Sequence, residues 1–366
     1  MMHPILKATL DHGQSIWLDY ISRQLMDSGM LAKLVKEGLR GMTSNPTIFQ
    51  KAVAGSADYD DDIRAGIECN WNPEEIFEHL AVADIQRAAD ALLPVYNESK
   101  RTDGFVSLEV SPKLAYDTDQ TIAEAKRLWK KVNRPNLMIK VPGTQEGLPA
   151  IRKLLGDGLN INVTLIFSLR QYKEVLETYL LALEDRIARK QDVSFIASVA
   201  SFFVSRVDTA ADKQLNQKGH SELEGKAAIA NACVAYRHFL DVTKAARWKA
   251  IAAAGAQVQR PLWASTSTKN PHYSDVLYVH ELVAENTVNT LPQETLEAWK
   301  DHGLPSAMLL ENLKTADATL EKIHSAGIDL NQITEDLIED GVKKFIDSYE
   351  QLLEAIRTKI QTGNLA

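Results

Sequence analysis

Short apolar runs alternate with amphipathic stretches along most of the chain. Each run has the character of a buried strand, and the stretches between them carry apolar residues at helical spacing. A strand, a helix and a further strand in succession are typical of parallel βαβ units. Eight units favour a closed (β/α)8 TIM barrel, whereas five or six would favour an open sheet. The eight runs are Ser15–Tyr20, Gly41–Thr47, Phe105–Val110, Leu137–Pro142, Asn160–Phe167, Ser194–Phe203, Pro261–Ser267 and Thr287–Leu291.

The helices between these runs are predicted from apolar spacing and from residues that start or stop helices. Asn72 followed by Pro73 at the first helical position is an N-terminal signal of this kind. The other predicted helices are Arg23–Glu37, ending near Gly38; Asp119–Val132, with Thr118 or Asp119 as cap; Gly147–Leu155, stopping at Gly156; and Leu169–Arg189.

The last part of the chain carries no strand signal. We therefore predict a barrel domain over residues 1–304 and a helical extension over residues 305–366 that packs on the barrel. Packing on the outer wall of the barrel is the simplest interpretation of this extension, and an oligomer contact or a lid over the site is the alternative. Within it, one apolar helical face is formed by Val342, Phe345, Ile346, Tyr349, Leu352, Leu353 and Ile356.

Composition narrows the range of partners. The 366 residues include 41 Lys and Arg against 49 Asp and Glu, a net charge of −8, which argues against a protein that coats nucleic acid or an anionic membrane. Neither a secretory leader nor a membrane span is evident, so the cytoplasm is the expected compartment. Cys69 and Cys233 are too few for a disulfide framework or a structural zinc site. The histidines lack ligand spacing and nucleotide-binding motifs are missing, so no metal or cofactor is expected.

Polar and ionisable residues recur at the carboxyl ends of the strand-like runs, where barrel enzymes place their active sites. Lys140 lies inside an apolar run, where a lysine must form an ion pair, reach solvent or lose its proton. A salt bridge is the simplest interpretation of Lys140, and a Schiff-base nucleophile is the alternative. Asp19 and Glu109 lie in other runs and would face the same cavity. Because imine chemistry needs an acid and a base, this combination favours the nucleophile.

Two cations follow the later runs. Arg206 comes after the sixth run and Lys269 after the seventh, with Ser201 and Ser267 nearby. Guanidinium, ammonium and hydroxyl groups are donors that bind phosphate. The sequence therefore predicts a phosphate site, with surface salt bridges at the rim as the alternative.

Several sequence motifs, and their order along the chain, resemble those of the transaldolases, the class I aldolase-type transferases of the pentose phosphate pathway. The similarity is greatest to the longer bacterial branch with a helical C-terminal extension, and it covers about Ser15 to about Asn289. It implies a TIM barrel with a Schiff-base lysine on the fourth strand, at Lys140, and sugar phosphates as partners, and leaves monomer or homodimer open. The motifs are Trp17-Leu18-Asp19, Thr43-Ser44-Asn45-Pro46-Thr47, Ser107-Leu108-Glu109-Val110, Ile139-Lys140-Val141-Pro142, Asn162-Val163-Thr164-Leu165-Ile166-Phe167-Ser168 and Ser201-Phe202-Phe203-Val204-Ser205-Arg206.

The resemblance also implies roles for single residues. Lys140 would attack C2 of fructose 6-phosphate or sedoheptulose 7-phosphate, and Asp19 would take the C4 hydroxyl proton as the C3–C4 bond breaks. The dihydroxyacetone unit would then add to erythrose 4-phosphate or glyceraldehyde 3-phosphate. Glu109 and Thr164 would hold the water that moves protons. The implied substrate contacts are Thr43, Asn45, Asn162, Ser201 and Phe203, with Arg206, Ser267 and Lys269 for phosphate.

Departures from the better-known branch concern the phosphate site. Lys269 stands where that branch has arginine, and Phe202 and Ser205 replace the proline and glycine of its Ser-Pro-Phe-Val-Gly-Arg run. Two other functions stay open. A fructose-6-phosphate aldolase would release free dihydroxyacetone, but those shorter enzymes lack the glutamate found here as Glu109 and have tyrosine in place of Phe203. A non-catalytic sugar-phosphate-binding barrel would have no need for a buried amine between two acids.

Overall fold

The computed structural model describes residues 1–362, and within them eight parallel strands close into a barrel in chain order. Strand β1 pairs with both β2 and β8, with Trp17 beside Thr290, which closes the sheet. The predicted (β/α)8 TIM barrel with additional C-terminal helices is confirmed. The strands are β1 (Gln14–Asp19), β2 (Gly41–Thr43), β3 (Val106–Glu109), β4 (Leu137–Pro142), β5 (Ile161–Ile166), β6 (Ser198–Phe203), β7 (Arg260–Ala264) and β8 (Thr287–Leu291).

Helices surround the barrel and return the chain from each strand to the next, as parallel pairing requires. Across residues 1–362 we found no helix that is both long and apolar enough to traverse a membrane. The helices are α1 (Pro4–Asp11), α2 (Arg23–Asp27), α3 (Met30–Glu37), α4 (Pro46–Ala54), α5 (Asp60–Glu68), α6 (Pro73–Glu98), α7 (Thr118–Val132), α8 (Gly147–Asp157), α9 (Leu169–Ala188), α10 (Ser205–Lys218), α11 (Ala227–Lys244), α12 (Ala246–Ala253), α13 (Leu277–Glu281), α14 (Gln293–His302), α15 (Met308–Leu313), α16 (Ala316–Ser325) and α17 (Leu330–Thr362).

Strands β3, β5 and β7 are slightly shorter than predicted, and β2 and β6 are much shorter. The run over 41–47 stops being a strand after β2, because the side-chain oxygen of Asn45 accepts the backbone N–H of Ile48 and Pro46 opens α4. Asn45 therefore caps a helix at the end of the strand. Strand β6 begins later than the predicted run over 194–203, because the first residues of that run form a turn.

Three predicted helix boundaries are wrong. The helix predicted over 23–37 is divided into α2 and α3, because Gly29 between them has a left-handed φ of 76°. The cap of α7 is Asp117, whose carboxylate accepts a backbone N–H, and not either of the two residues that follow it. Helix α8 continues through Gly156 and ends before Gly158, which has a φ of 101°.

The amino-terminal end of the barrel is closed by buried polar contacts around Asp103. Its carboxylate accepts hydrogen bonds from Ser15 Oγ at 2.5 Å and Trp17 Nε1 at 2.9 Å. The guanidinium groups of Arg260 and Arg40 lie 3.0 and 3.4 Å from the same carboxylate. This end of the barrel is therefore filled, and the space for a ligand lies at the opposite, carboxyl end.

Helix α17 crosses the carboxyl end of the barrel. Its 33 residues span roughly 50 Å at 1.5 Å per residue. It packs against α4, which follows β2, and against α10, which follows β6 on the opposite side of the barrel. Gly341 permits a close approach to β5, because a Cβ there would lie 3.0 Å from the Leu165 side chain. The expected position on the outer wall is thus corrected to one across the barrel mouth; residues 363–366 of the extension lie outside the described part of the chain.

Side-chain contacts hold α17 in this position. Thr47 Oγ1 donates a hydrogen bond to Ser348 Oγ at 2.8 Å. Nearer the end of the helix, Lys359 Nζ lies 2.5 Å from the Asp60 carboxylate and donates to the Ser56 carbonyl at 2.8 Å. The Asp60 side chain is only 5% exposed, so this ion pair is well shielded from solvent.

Candidate active site

A cavity of about 960 Å³ opens at the carboxyl end of the barrel. It contains most of the side chains that the sequence singled out, from strands around the whole barrel. Glu109 and Asn162 do not line it directly, but each contacts a residue that does. The predicted residues that line the cavity are Asp19, Thr43, Asn45, Lys140, Thr164, Ser201, Phe203, Arg206, Ser267 and Lys269.

Lys140 is 4% exposed and lies in the second half of β4. Its Nζ donates a hydrogen bond to the backbone oxygen of Ser44 at 3.3 Å and lies 3.4 Å from Glu109 Oε2. The pairing of β3 with β4 places Glu109 directly beside Lys140, so both side chains point to the same face of the sheet. A buried amine with an acid beside it, at the edge of a cavity, has the arrangement that a Schiff-base nucleophile needs.

Glu109 is an unusual buried acid. Burial raises its pKa to about 7, although the nearby charge of Lys140 lowers it. Within residues 1–362 neither carboxyl oxygen has a hydrogen-bond partner, although Lys140 Nζ lies 3.4 Å from Oε2. Thr164 lies on β5, on the other side of β4 from Glu109, and also has a buried hydroxyl without a partner among these residues. A water molecule or a substrate hydroxyl would satisfy such groups.

Asp19 ends β1 and is held by a chain of hydroxyl groups. Thr43 Oγ1 donates a hydrogen bond to Asp19 Oδ1 at 2.7 Å, and Thr290 Oγ1 lies 2.7 Å from the Thr43 hydroxyl. Burial raises the pKa of Asp19, whereas the charges of Lys140 and Arg206 and the Thr43 hydrogen bond lower it. The site thus holds a second carboxyl group, fixed in orientation, near the same lysine.

A row of buried polar groups forms the floor beside Lys140. Ser201 Oγ donates to Asn162 Oδ1 at 2.7 Å, and Asn162 Nδ2 donates to Ser107 Oγ at 3.0 Å. The pairing of β4 with β5 places Asn162 opposite Lys140. These side chains fix one another, so any ligand hydroxyl that reaches them meets groups of defined orientation.

Arg206, near the start of α10, supplies a half-buried cation to the cavity. Its guanidinium lies 5.2 Å from the ring centre of Phe203 and 5.9 Å from that of Phe345. Burial lowers the pKa of Arg206, and the carboxylates of Asp340 and Asp19 oppose that effect. Its Nη1 is buried and has no hydrogen-bond partner within residues 1–362, which leaves a donor for an anionic ligand.

The second predicted cation, Lys269, lies on the exposed loop after β7. Its Nζ donates a hydrogen bond to Ser267 Oγ at 2.7 Å. The chain that follows is tied to α10, so the two predicted phosphate-binding segments are held together. The ties are hydrogen bonds of 2.8 Å from Tyr273 to Asp212 and from Tyr278 to Asp208.

Two of the departures from the better-known branch do not change the cavity wall. Phe202 points away from the cavity and packs edge-on against Tyr172 and Trp263. Ser205 is buried, and its hydroxyl lies 2.9 Å from that of Ser265. Phe202 therefore packs on the face of the sheet that points away from the cavity, and Ser205 links α10 to the loop after β7.

The residues that line the cavity and that the sequence analysis did not predict for the site include Thr290, Lys51 and Phe345. Thr290 lies near the end of β8, so the strand-end pattern that found the other residues could have found it. Lys51 on α4 gave no signal. Phe345 on α17 was recognised only as part of an apolar helical face, because helical periodicity does not say which surface a helix packs against. No group of three or more His, Cys, Asp or Glu residues suited to a metal occurs in residues 1–362.

Comparison with known proteins gives consistent matches over nearly the whole chain. The profile of the transaldolase/fructose-6-phosphate aldolase family matches residues 16–356. A protein named transaldolase from Trichodesmium erythraeum is 45% identical, over 95% of this chain and 96% of its own. Proteins of the same name from Saccharopolyspora erythraea and Thermobifida fusca are each 48% identical and cover 97% of this chain, and 97% and 98% of their own. The family match extends well past Asn289 and includes most of α17.

Proposed function

The chain belongs to the transaldolase/fructose-6-phosphate aldolase family and is an enzyme of the transaldolase type, and we propose that it transfers dihydroxyacetone units through a Schiff base on Lys140. The observation that carries this proposal is the buried Lys140 amine, which lies 3.4 Å from the Glu109 carboxyl group and shares a cavity with that of Asp19. The donor is a ketose phosphate, fructose 6-phosphate or sedoheptulose 7-phosphate. The acceptor is an aldose phosphate, erythrose 4-phosphate or glyceraldehyde 3-phosphate.

Imine formation uses the Lys140 and Glu109 pair. The neutral amine adds to the C2 carbonyl of the donor, and the resulting carbinolamine must lose its hydroxyl group as water. Glu109, directly or through a water held with Thr164, donates the proton that this step needs. A carboxyl group with a pKa of about 7 is suited to both giving and taking a proton near neutral pH.

Carbon–carbon bond cleavage uses Asp19. It accepts the proton of the C4 hydroxyl as the C3–C4 bond breaks, and the electron pair moves onto the three-carbon unit as an enamine. The aldose phosphate leaves, and the enamine attacks the carbonyl carbon of the acceptor in the reverse sense. Asn162, Ser201 and Asn45 would hydrogen-bond the hydroxyl groups of the bound unit; Asn45 already uses its side-chain oxygen to cap α4, which leaves its amide N–H donors for the ligand.

We expect Arg206 and Lys269 to bind the phosphate at the far end of the ketose. Replacing either with alanine removes a charge-assisted hydrogen bond of about 1.5–3 kcal/mol, so kcat/KM should fall roughly 10- to 150-fold. The loss should be larger for Arg206→Ala, because a guanidinium can bind two phosphate oxygens while an ammonium acts as one point charge. Steady-state kinetics with fructose 6-phosphate measure both losses.

The control for this prediction is fructose, which has no phosphate for either cation to bind. The ratio of kcat/KM for fructose 6-phosphate to that for fructose should fall in both variants. If activity on fructose fell by the same factor as activity on fructose 6-phosphate, the two residues would support the fold and would not contact phosphate.

The transfer reaction itself is tested by supplying fructose 6-phosphate with and without erythrose 4-phosphate. Glyceraldehyde 3-phosphate should be produced over repeated turnovers only when the acceptor is present. Sustained release of free dihydroxyacetone without acceptor would instead make the protein a fructose-6-phosphate aldolase. Glu109 and Phe203 favour transfer, because the aldolases lack that glutamate and have a tyrosine at the second position.

The proposed setting is the pentose phosphate pathway in the cytoplasm, with small sugar phosphates as the partners. This compartment follows from the sequence analysis and the proposed substrates. Cell fractionation with an antibody against the protein tests it, and gel filtration with light scattering distinguishes a monomer from a homodimer.

A further inference from the structure

Phe345 brings the C-terminal helix into contact with the reactive lysine. Its ring is 3% exposed, and its centre lies 5.6 Å from Lys140 Nζ and 5.9 Å from the Arg206 guanidinium. The ring lines the same cavity as these two cations. It therefore forms a wall of the site that runs from the lysine toward the predicted phosphate end.

We propose that Phe345 determines the partition of the bound three-carbon unit between transfer to an acceptor and release as free dihydroxyacetone. This inference rests on the proposed function, because it concerns the enamine formed on Lys140. Phe345 acts as a specificity-determining residue: its ring occupies the space beside the lysine nitrogen and restricts the access of water to the adjoining enamine carbon.

The two fates differ in what the enamine carbon attacks. In transfer, its electron pair forms a new bond to the acceptor aldehyde carbon. In release, the same electron pair takes a proton, ultimately from water, which gives an iminium ion. Water then adds to C2, the C–N bond to Lys140 breaks, and the ketone and the free amine are formed. One water molecule is consumed overall, and nothing is oxidised or reduced. Because the enamine carbon reacts either with the acceptor or with a proton, access of a proton donor to this carbon decides between transfer and release.

The properties of Phe345 suit this role. A phenyl ring has no proton to give, and its face stabilises the cationic lysine or iminium beside it. The ring cannot easily leave, because α17 is fixed nearby by the hydrogen bond between Thr47 and Ser348 and farther along by the ion pair between Lys359 and Asp60. The wall is thus part of a helix that is anchored at two points after Phe345, one on α4 and one on α5.

The test compares Phe345→Leu with Tyr349→Leu. Both changes remove a buried aromatic ring from the same face of α17, one helical turn apart, but Tyr349 packs edge-on against Phe77 and does not line this cavity. The measured quantity is the rate of dihydroxyacetone release without acceptor divided by the rate of transfer with erythrose 4-phosphate. Phe345→Leu should raise this ratio about tenfold, equal to a relative barrier change of about 1.4 kcal/mol, and Tyr349→Leu should leave it within twofold.

An unchanged ratio in Phe345→Leu, or an equal rise in Tyr349→Leu, would overturn the inference. If the leucine variant does not fold, Phe345→Met keeps the volume of the core and should raise the ratio in the same direction. A second measurement needs neither acceptor nor phosphate: exchange of the hydroxymethyl hydrogens of dihydroxyacetone in D2O, followed by NMR, should be faster in the Phe345 variant. If the proposed function is wrong, the wild-type enzyme will show no transfer to erythrose 4-phosphate. None of the outcomes above gives that result, so the two failures can be told apart.

Discussion

Replacement of Lys140 by alanine is expected to lower the kcat for transfer by at least about 10⁴-fold, because its amine is the group that forms the covalent intermediate. The side chain is nearly fully buried and lies 3.4 Å from Glu109, so circular dichroism and thermal unfolding should accompany the kinetics. A folded variant that retains activity would contradict the mechanism.

The covalent bond itself is detected by trapping. Borohydride added together with fructose 6-phosphate should reduce the imine and leave a stable three-carbon adduct on the peptide that contains Lys140. Lys51→Ala provides a matched control, because Lys51 lines the same cavity but lies on α4 and not beside the two acids. The label should stay on Lys140 in that variant, and its appearance on a different lysine in the wild type would refute the assignment.

Changes at Asp19 and Glu109 should stop the reaction at different steps. Asp19→Ala should still form the adduct but cleave the C3–C4 bond roughly 10²–10⁴ times more slowly, as expected for loss of a general base. Glu109→Gln should instead slow imine formation and imine hydrolysis. Rapid-quench trapping separates adduct formation from cleavage, and a block at the same step in both variants would disprove the division of roles.

The pH dependence provides a separate test of Glu109. Its pKa is raised to about 7 by burial, so the protonated form that can donate to the leaving hydroxyl is present below that pH. The rate of imine formation should therefore fall as the pH rises through about 7. This pH dependence should be absent in Glu109→Gln, and its persistence there would assign it to another group.

The barrel and the ends of its strands could be predicted because both depend on local pattern. Parallel strands are buried on both faces and give continuous apolar runs, and a lysine or an acid inside such a run is conspicuous. Lys140 and Glu109 were found in this way, and strand pairing then places them side by side. Asp19 was found because it lies at the end of the first run.

What the sequence could not provide depends on packing between distant parts of the chain. The face of α17 was identified from its spacing, but the same periodicity fits the outer wall and the barrel mouth equally well. Phe345 therefore looked like an ordinary core residue until the structure placed it against Lys140. The break at Gly29 was missed for a related reason, because a left-handed φ is a property of the folded backbone and glycine only permits it.

The position of α17 also bears on how the enzyme is made. Proteins are synthesised from the amino terminus, and domains fold as the chain emerges. Strand β8 ends at Leu291 and completes the barrel, whereas α17 begins only at Leu330. A nascent chain on the ribosome can thus hold its lysine and both acids in place while the barrel mouth is still open to bulk water. The wall supplied by Phe345, and the Lys359 contact that anchors it, are made after the barrel, so the active site is completed only after all eight strands have been synthesised.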